Sequence, residues 1–263
     1  MITAYHRPQT LDDALTLLTQ PNILPLGGGT LLSKPTADPV EVVDLQALGL
    51  DSVKKNGNNL ELGATLTLQS LLESEHCPPA LKPALKLEAP LNIRNSATVA
   101  GTLVACDGRS TFVSALLALD AKITVSSKQS SEEIINIGDL LPLRAQIRGK
   151  LITKIAFPLN IKLAFEYVAR TPSDKPIVCA ALAQWNSGRT RLALGGYGKS
   201  PLLAMDGTEA DDASTSDNLL RSAQAAARNA FHEATDEWAS AEYRMDAAAI
   251  LAKRCLEGLN SLP

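Results

Sequence analysis

The 263-residue sequence predicts an α+β fold, because its strand-like and helix-like stretches do not alternate strictly. Short apolar runs and short helical stretches are mixed through the first 158 residues. Three strand-like runs then follow one another between 164 and 197, and residues 218–259 carry two long helical stretches. With 45% hydrophobic residues, the chain can bury a substantial core, in one large domain or in two or three small ones.

Each element has a local reason. Residues 10–19 form an amphipathic helix: Thr10 suits the N-cap, Asp12 and Asp13 suit the first turn, and Leu11, Ala14, Leu15 and Leu18 make the apolar face. Pro21 stops it, and Ile23–Leu26 follows as a strand. Val40–Leu45 is a second strand. Leu60–Ala64 alternates as a strand behind the Asn/Gly turn at 56–59. Residues 66–73 and 78–87 read as helices, 110–119 as an apolar helix ending near Asp120, and 121–126 as a strand. Residues 134–141 are mixed, with Asp139 a helix-cap candidate. Leu151–Phe157 is a strand ended by Pro158, and a boundary falls at 158–161. Beyond it, 164–169, 178–185 and 190–197 read as an antiparallel meander. Residues 208–217, acidic and rich in small side chains, read as a surface loop before the two terminal helices.

Composition excludes several function classes. With 25 basic and 28 acidic residues the net charge is −3, and no basic cluster suits nucleic acid. No apolar run is long enough to span a membrane, and the N-terminus lacks the apolar stretch of a signal peptide. Cys77, Cys106, Cys179 and Cys255 show no metal-type spacing and read as buried free thiols in a reducing cytoplasm. His6, His76 and His232 are too widely separated for a structural zinc. No Ser/His/Asp or Cys/His set and no acid–base carboxylate pair stands out. Trp185, Trp238, Tyr197, Tyr243 and Arg244 read as packing residues.

Two small-residue loops carry the chemistry. The first is Pro25-Leu26-Gly27-Gly28-Gly29-Thr30-Leu31-Leu32; the second runs from Ile93 to Leu103 through Thr98-Val99-Ala100-Gly101-Thr102. Bare backbone beside a hydroxyl lets amides approach a phosphate, and a helix starting near Ser110 would favour an anion nearby. A tight turn in the first loop and a strand–turn–helix junction in the second explain the same residues without a ligand. Neither loop fits the GxGxxG or P-loop pattern.

Both loops resemble one family. Leu26 to Leu32 is similar to A-G-G-T-D-L-L. Ile93 to Asp120 is similar to I-R-N-x-A-T-I-G-G-N-I, then a polar turn, then L-L-A-L-D-A. These motifs belong to the FAD-binding medium subunit of molybdenum hydroxylases, the xanthine dehydrogenase and carbon monoxide dehydrogenase group. The likeness continues through Val42-Val43-Asp44-Leu45 and Leu62-Gly63-Ala64 with Thr67, through 166–180 with Arg170 and Asp174, and through Arg191-Leu192-Ala193-Leu194-Gly195-Gly196. It ends at Ser240-Ala241-Glu242-Tyr243-Arg244 with Leu251 and Arg254.

The resemblance implies a vanillyl-alcohol-oxidase (PCMH)-type FAD-binding fold. Residues 1–53 and 54–158 would be its two α+β subdomains and 159–263 a C-terminal α+β domain. It implies FAD with its pyrophosphate between the two loops. Gly27, Gly28, Gly29, Thr30 and Leu31 would offer amides from the first loop; Thr98, Ala100, Gly101 and Thr102 would offer amides and hydroxyls from the second. Asp107 would contact ribose or adenine, or else be a solvated residue of the turn.

It also implies an electron-transfer oxidoreductase subunit. Its partners would be a molybdopterin-binding large subunit and a 2Fe-2S small subunit, with NAD+ or another molecule as acceptor. Leu31 and Ala100 depart from the family pattern. Leu31 replaces a polar residue, and the Ala100 methyl would crowd the phosphate or force an unusual φ. A second reading follows from them, an assembly or interaction subunit of the same fold without FAD. A free-standing FAD oxidase is a third, which would need an acid or base that the sequence does not offer.

Overall fold

The computed structural model describes residues 2–33, 38–130, 132–208 and 216–260. In chain order the elements are β1 (Ile2–His6), α1 (Leu11–Leu18), β2 (Ile23–Leu26), β3 (Val40–Asp44), β4 (Val53–Asn56), β5 (Asn59–Gly63), α2 (Leu68–Glu73), α3 (Lys82–Glu88), α4 (Leu91–Arg94), α5 (Val99–Ala105) and α6 (Thr111–Ala118). There follow β6 (Lys122–Ser127), β7 (Glu133–Asn136), α7 (Ile137–Leu143), β8 (Lys150–Pro158), β9 (Lys162–Val168), β10 (Val178–Gln184), β11 (Thr190–Gly195), β12 (Leu202–Gly207), α8 (Ser216–Ala230) and α9 (Ala241–Asn260). No described helix is long and apolar enough to cross a membrane. The expected 208–217 loop lies largely outside the described residues.

Packing groups the chain into two compact units, interleaved in sequence. One comprises residues 1–77, 91–105 and 121–157. It holds a parallel sheet of order β1-β3-β2 and a five-stranded sheet of order β4-β5-β8-β6-β7. α1 forms as its pattern predicts. The Thr10 hydroxyl accepts from the Asp13 amide, and Ala14, Leu15 and Leu18 bury against Ile23, Val43 and Leu151. α7 starts differently from expectation: Asn136 occupies the N-cap and Asp139 sits inside the first turn, where its charge complements the helix dipole. β1 went unforeseen in the sequence, because ITAYH is mostly exposed and has no apolar alternation. Its place is set instead by parallel pairing with β3 and by the Tyr5–Asp44 hydrogen bond.

The other unit comprises residues 78–90, 106–120 and 158–263. Its sheet is the expected antiparallel meander, extended by the fourth strand β12 to the order β12-β11-β10-β9. β10 and β11 are buried on both faces, so they read as continuous apolar runs rather than alternating ones. α8 and α9 supply Ala223, Ala227, Phe231, Leu251, Ala252 and Cys255 to the core with Leu182, Leu192 and Leu194. α6, also beside β10 and β11, has all eight residues buried, which explains an apolar helix without a polar face.

Buried arginines tie this unit together. Arg191 pairs with Asp206 and Asp120 and donates to Leu117 O at 3.0 Å. Arg244, fully buried, donates to Ala234 O, Ala239 O and Asp236, fixing the start of α9 as expected for a packing residue. Its guanidinium also faces the Tyr197 ring at 5.3 Å. The tryptophans differ from the packing expectation. Trp238 lies between Arg109 and Arg170, each 4.5 Å from its ring, and Arg189 stacks on Trp185 at 4.9 Å. All four cysteines are buried and none is in a disulfide; burial pushes the Cys179 thiol up to about 12, far from a reactive thiolate.

Candidate functional site: a glycine-lined cavity

The first loop leaves the C-terminal end of β2 and closes one helical turn. Gly29 O accepts from the Ser33 amide at 3.0 Å and from the Ser33 hydroxyl at 2.6 Å. Such a turn leaves its leading amides without intrachain acceptors. Among the described residues, the amides of Gly27 to Leu32 make no backbone hydrogen bond. They are therefore available to an anion, the use a helix N-terminus or amide nest is suited to.

Each glycine here has its own reason. Gly29 sits at φ +71°, where a side chain is strained. A Cβ on Gly28 would overlap Ser96 O, and one on Gly27 would lie 2.8 Å from Thr98 Oγ1. The two loops thus touch, and close backbone approach, not a ligand alone, requires Gly27 and Gly28.

The second loop is less open than expected. Its core is the start of α5, not a junction leading to a distant helix. The Val99 amide donates to Leu66 O, Ala100 to Ala64 O, Gly101 to Thr98 Oγ1 and Thr102 to Thr98 O. Thr98 is the N-cap in this pattern, and the amides expected to hold phosphate are already bonded. Ala100 is not among the residues at positive φ, so the unusual backbone expected of it does not occur. The helix that begins at Thr111 is closed too. Glu88, fully enclosed at its N-terminus, accepts from the Phe112 amide at 2.9 Å and from Ser110 Oγ and Thr111 Oγ1. The amides of Phe112 and Val113 are thus taken, by Glu88 and by Ser110 Oγ.

A cavity of about 570 Å³ lies within the first unit, along both loops. Gly27, Gly28, Gly29, Thr30, Leu31, Thr98, Ala100 and Gly101 line it together. Thr102 sits one position on in α5 and does not line it. Asp107 belongs to the other unit, exposed, where it accepts from the Arg109 amide at 2.9 Å and pairs with Lys175 at 3.2 Å.

The rest of the wall was not foreseen. Leu18, Ile23, Leu24, Leu45, Leu151 and Ile152 make it apolar, and Ala64 joins it beside Ala100. The segment from Arg144 to Ile152 brings Arg144, Arg148 and Lys150 to it, while no Asp or Glu is among the described residues that line it. Ala64 carried a signal, since Leu62-Gly63-Ala64 stood among the matched stretches. The 144–152 segment carried none.

Comparison with known proteins bears on the family and the fold. The sequence profile of the FAD binding domain in molybdopterin dehydrogenase matches residues 1–160, and that of the CO dehydrogenase flavoprotein C-terminal domain matches 163–259. The chain is 26% identical over 274 residues to the carbon monoxide dehydrogenase medium chain of Afipia carboxidovorans, covering 96% of this chain and 95% of that one. It is 29% identical over 211 residues to the uncharacterized protein YgfM of Escherichia coli, covering 78% and 79% respectively. Among solved structures, a Cu,Mo-CO dehydrogenase chain superposes with a TM-score of 0.84 at 25% identity, covering 99% of this chain and 98% of that one. A chain of quinoline 2-oxidoreductase from Pseudomonas putida shares the fold with a TM-score of 0.80 at 21% identity, covering 97% and 96%.

Proposed function

The chain belongs to the family of FAD-binding medium subunits of molybdopterin dehydrogenases, and from that premise we propose that it passes electrons from partner iron–sulfur clusters to NAD+ or another acceptor. It is an oxidoreductase component, its cofactor is FAD and its fold is the PCMH type. The single observation that carries the reading is the unspent amide turn of Gly27–Leu32 on the floor of an apolar cavity.

The residues present fit the diphosphate of FAD. Several N–H donors of one turn have no backbone acceptor, no carboxylate is among the described lining residues, and Gly29 leaves room for close approach. We propose Gly27, Gly28, Gly29, Thr30 and Leu31 as the diphosphate cradle. Thr98 contributes its hydroxyl hydrogen, and Ala100 and Gly101 the adjoining wall. Thr102 supports that wall through α5. Asp107, already paired with Lys175, is the weakest member of the proposed set.

When bound, FAD supplies the redox chemistry, accepting and releasing electrons at its flavin ring. The chain's own task is to hold and orient. The glycine turn would hold the anionic centre, and Leu18, Ile23, Leu24 and Leu151 would give the rest of the cofactor an apolar wall to lie against. No side chain needs to transfer a proton.

We further propose a molybdopterin-binding large subunit and a 2Fe-2S small subunit as partners, by likeness to relatives named as medium chains. The cytoplasm is the proposed compartment, supported by four thiols in no disulfide. The division at 1–53, 54–158 and 159–263 remains our proposal. It is supported by one sheet in each segment, with β4 starting at Val53; α3 and α6, from the middle segment, group by packing with the C-terminal one instead.

The test is spectroscopic. The purified chain is expected to bind one FAD, with the visible absorption of oxidised flavin. In the assembled complex, oxidisable substrate bleaches that absorption anaerobically and NAD+ or another acceptor restores it. A chain that stays colourless with excess FAD overturns the reading. A flavin that substrate never reduces in the complete complex overturns the electron-transfer step.

A further inference from the structure

We propose that Arg148 is a diphosphate-binding residue of the cavity, supplying the positive charge that the second loop does not. The inference rests on the cofactor reading above and deepens it.

Two observations lead to it. First, diphosphate recognition by this chain is one-sided. The first loop offers amides, whereas Val99, Ala100, Gly101 and Thr102 have theirs bonded to Leu66, Ala64 and Thr98. Leu31, more than half exposed, adds no polar side chain. A doubly charged group held by one turn of amides leaves charge to be neutralised.

Second, the cavity wall is asymmetric in charge. The chain as a whole is acidic, with 28 acidic against 25 basic residues, yet among the described residues no acid lines this cavity and Arg144, Arg148 and Lys150 all do. The three are not equivalent. Lys150 is paired with Glu133 at 3.1 Å, and Arg144 donates to Leu141 O at 2.6 Å at the end of α7. Arg148, exposed, makes no hydrogen bond or ion pair among the described residues. A guanidinium presents several donors in a planar fork that matches phosphate oxygens, at a position where nothing in the fold competes for it. Gly149, at φ +76°, follows directly and turns the backbone between Arg148 and Lys150.

The experiment measures equilibrium binding of FAD, ADP and adenosine to the full chain and to Arg148→Ala, Arg148→Glu and Lys253→Glu, at several salt concentrations. Lys253 sits in α9 of the other unit, paired with Glu257, and controls for net charge. Arg148 is exposed, so unchanged thermal melts are expected for both of its variants. Arg148→Ala is expected to weaken FAD and ADP by about ten-fold and Arg148→Glu by more, with adenosine unaffected and a shallower salt dependence. Lys253→Glu is expected to bind as the parent chain does.

Wild-type affinity for FAD retained in Arg148→Glu overturns the assignment and leaves the cofactor reading standing. Equal loss for adenosine and ADP overturns it as well, because Arg148 would then be stacking on the base. A parent chain that binds neither FAD nor ADP overturns the assignment together with the cofactor reading.

Discussion

Gly28 and Gly29 stand side by side in the first loop and are required for different reasons. At Gly29 the cost of a side chain is conformational: φ is +71°, in the left-handed region. At Gly28 the cost is steric, because a methyl would overlap Ser96 O on the neighbouring loop. Gly28→Ala therefore forces the two loops apart. It is expected to lower stability by about 1–3 kcal/mol in denaturant titrations and to weaken FAD binding at the same time. Gly207→Ala, where a new Cβ meets nothing within 4 Å, is the matched control and is expected to change neither. If Gly28→Ala binds FAD as tightly as the parent chain, contact between the loops is irrelevant to the site.

Residue identity made this part of the site legible in advance. A triple glycine beside Thr30 points to open backbone in any fold. The bonding of Val99 to Thr102 was not legible. Thr98 and Gly101 stand three apart, the spacing of an N-cap and its amide, yet small residues around them read equally well as a loop. Arg148 carried no signal at all. Its place on the cavity wall depends on how β8 pairs within its sheet, which no local pattern states.

Among the elements, α6 shows how a helix start was mistaken for an anion site. The N-terminus of α6 already carries a carboxyl of its own, Glu88 from α3, which accepts from Phe112 N, Ser110 and Thr111. Burial pushes the Glu88 carboxyl above the ordinary glutamate value, and the three hydrogen bonds and Lys175 only partly oppose this. The sign follows directly. A carboxyl whose folded pKa is raised holds its proton longer in the folded chain than in the unfolded one. Its contribution is complete below the ordinary glutamate value and is lost as pH rises through the raised folded value.

Glu88→Gln removes the titration but keeps an acceptor for Phe112. Its unfolding free energy is expected to fall less steeply than the parent's as pH rises above the ordinary glutamate value. Glu88→Ala leaves buried donors unpaired and is expected to cost about 1–3 kcal/mol at every pH. Parallel stability–pH curves for the parent and Glu88→Gln would show that burial does not control this carboxyl.

Elements with a clear local pattern, such as α1 by its periodicity and the β9–β11 meander by its successive strand-like runs, followed from the sequence. β1 and β12 did not, because both are short strands with partly exposed, irregular patterns. Their existence is decided by a partner strand, β3 for one and β11 for the other.

At the scale of the molecule, the order of elements and the α+β class were readable, but the grouping was not. α3 and α6 come from the first 120 residues and belong to the unit built on the C-terminal meander. Hydrophobic pattern identifies α6 as wholly buried; it does not say against what. The site escapes this difficulty, because both loops and the 144–152 segment lie within a single unit. A relatively rigid scaffold of two sheets therefore presents one amide turn, one capped helix and one cationic segment to the same space. That arrangement suits a cofactor held by its diphosphate.

Amide hydrogen exchange of the purified chain, with and without FAD, tests the central claim most directly. Slowed exchange is expected at the amides from Gly28 to Leu31 on FAD addition, with those of Val99 to Thr102 already slow and little changed. New protection confined to Val99–Thr102, or FAD bound with no change in the first loop, would contradict it.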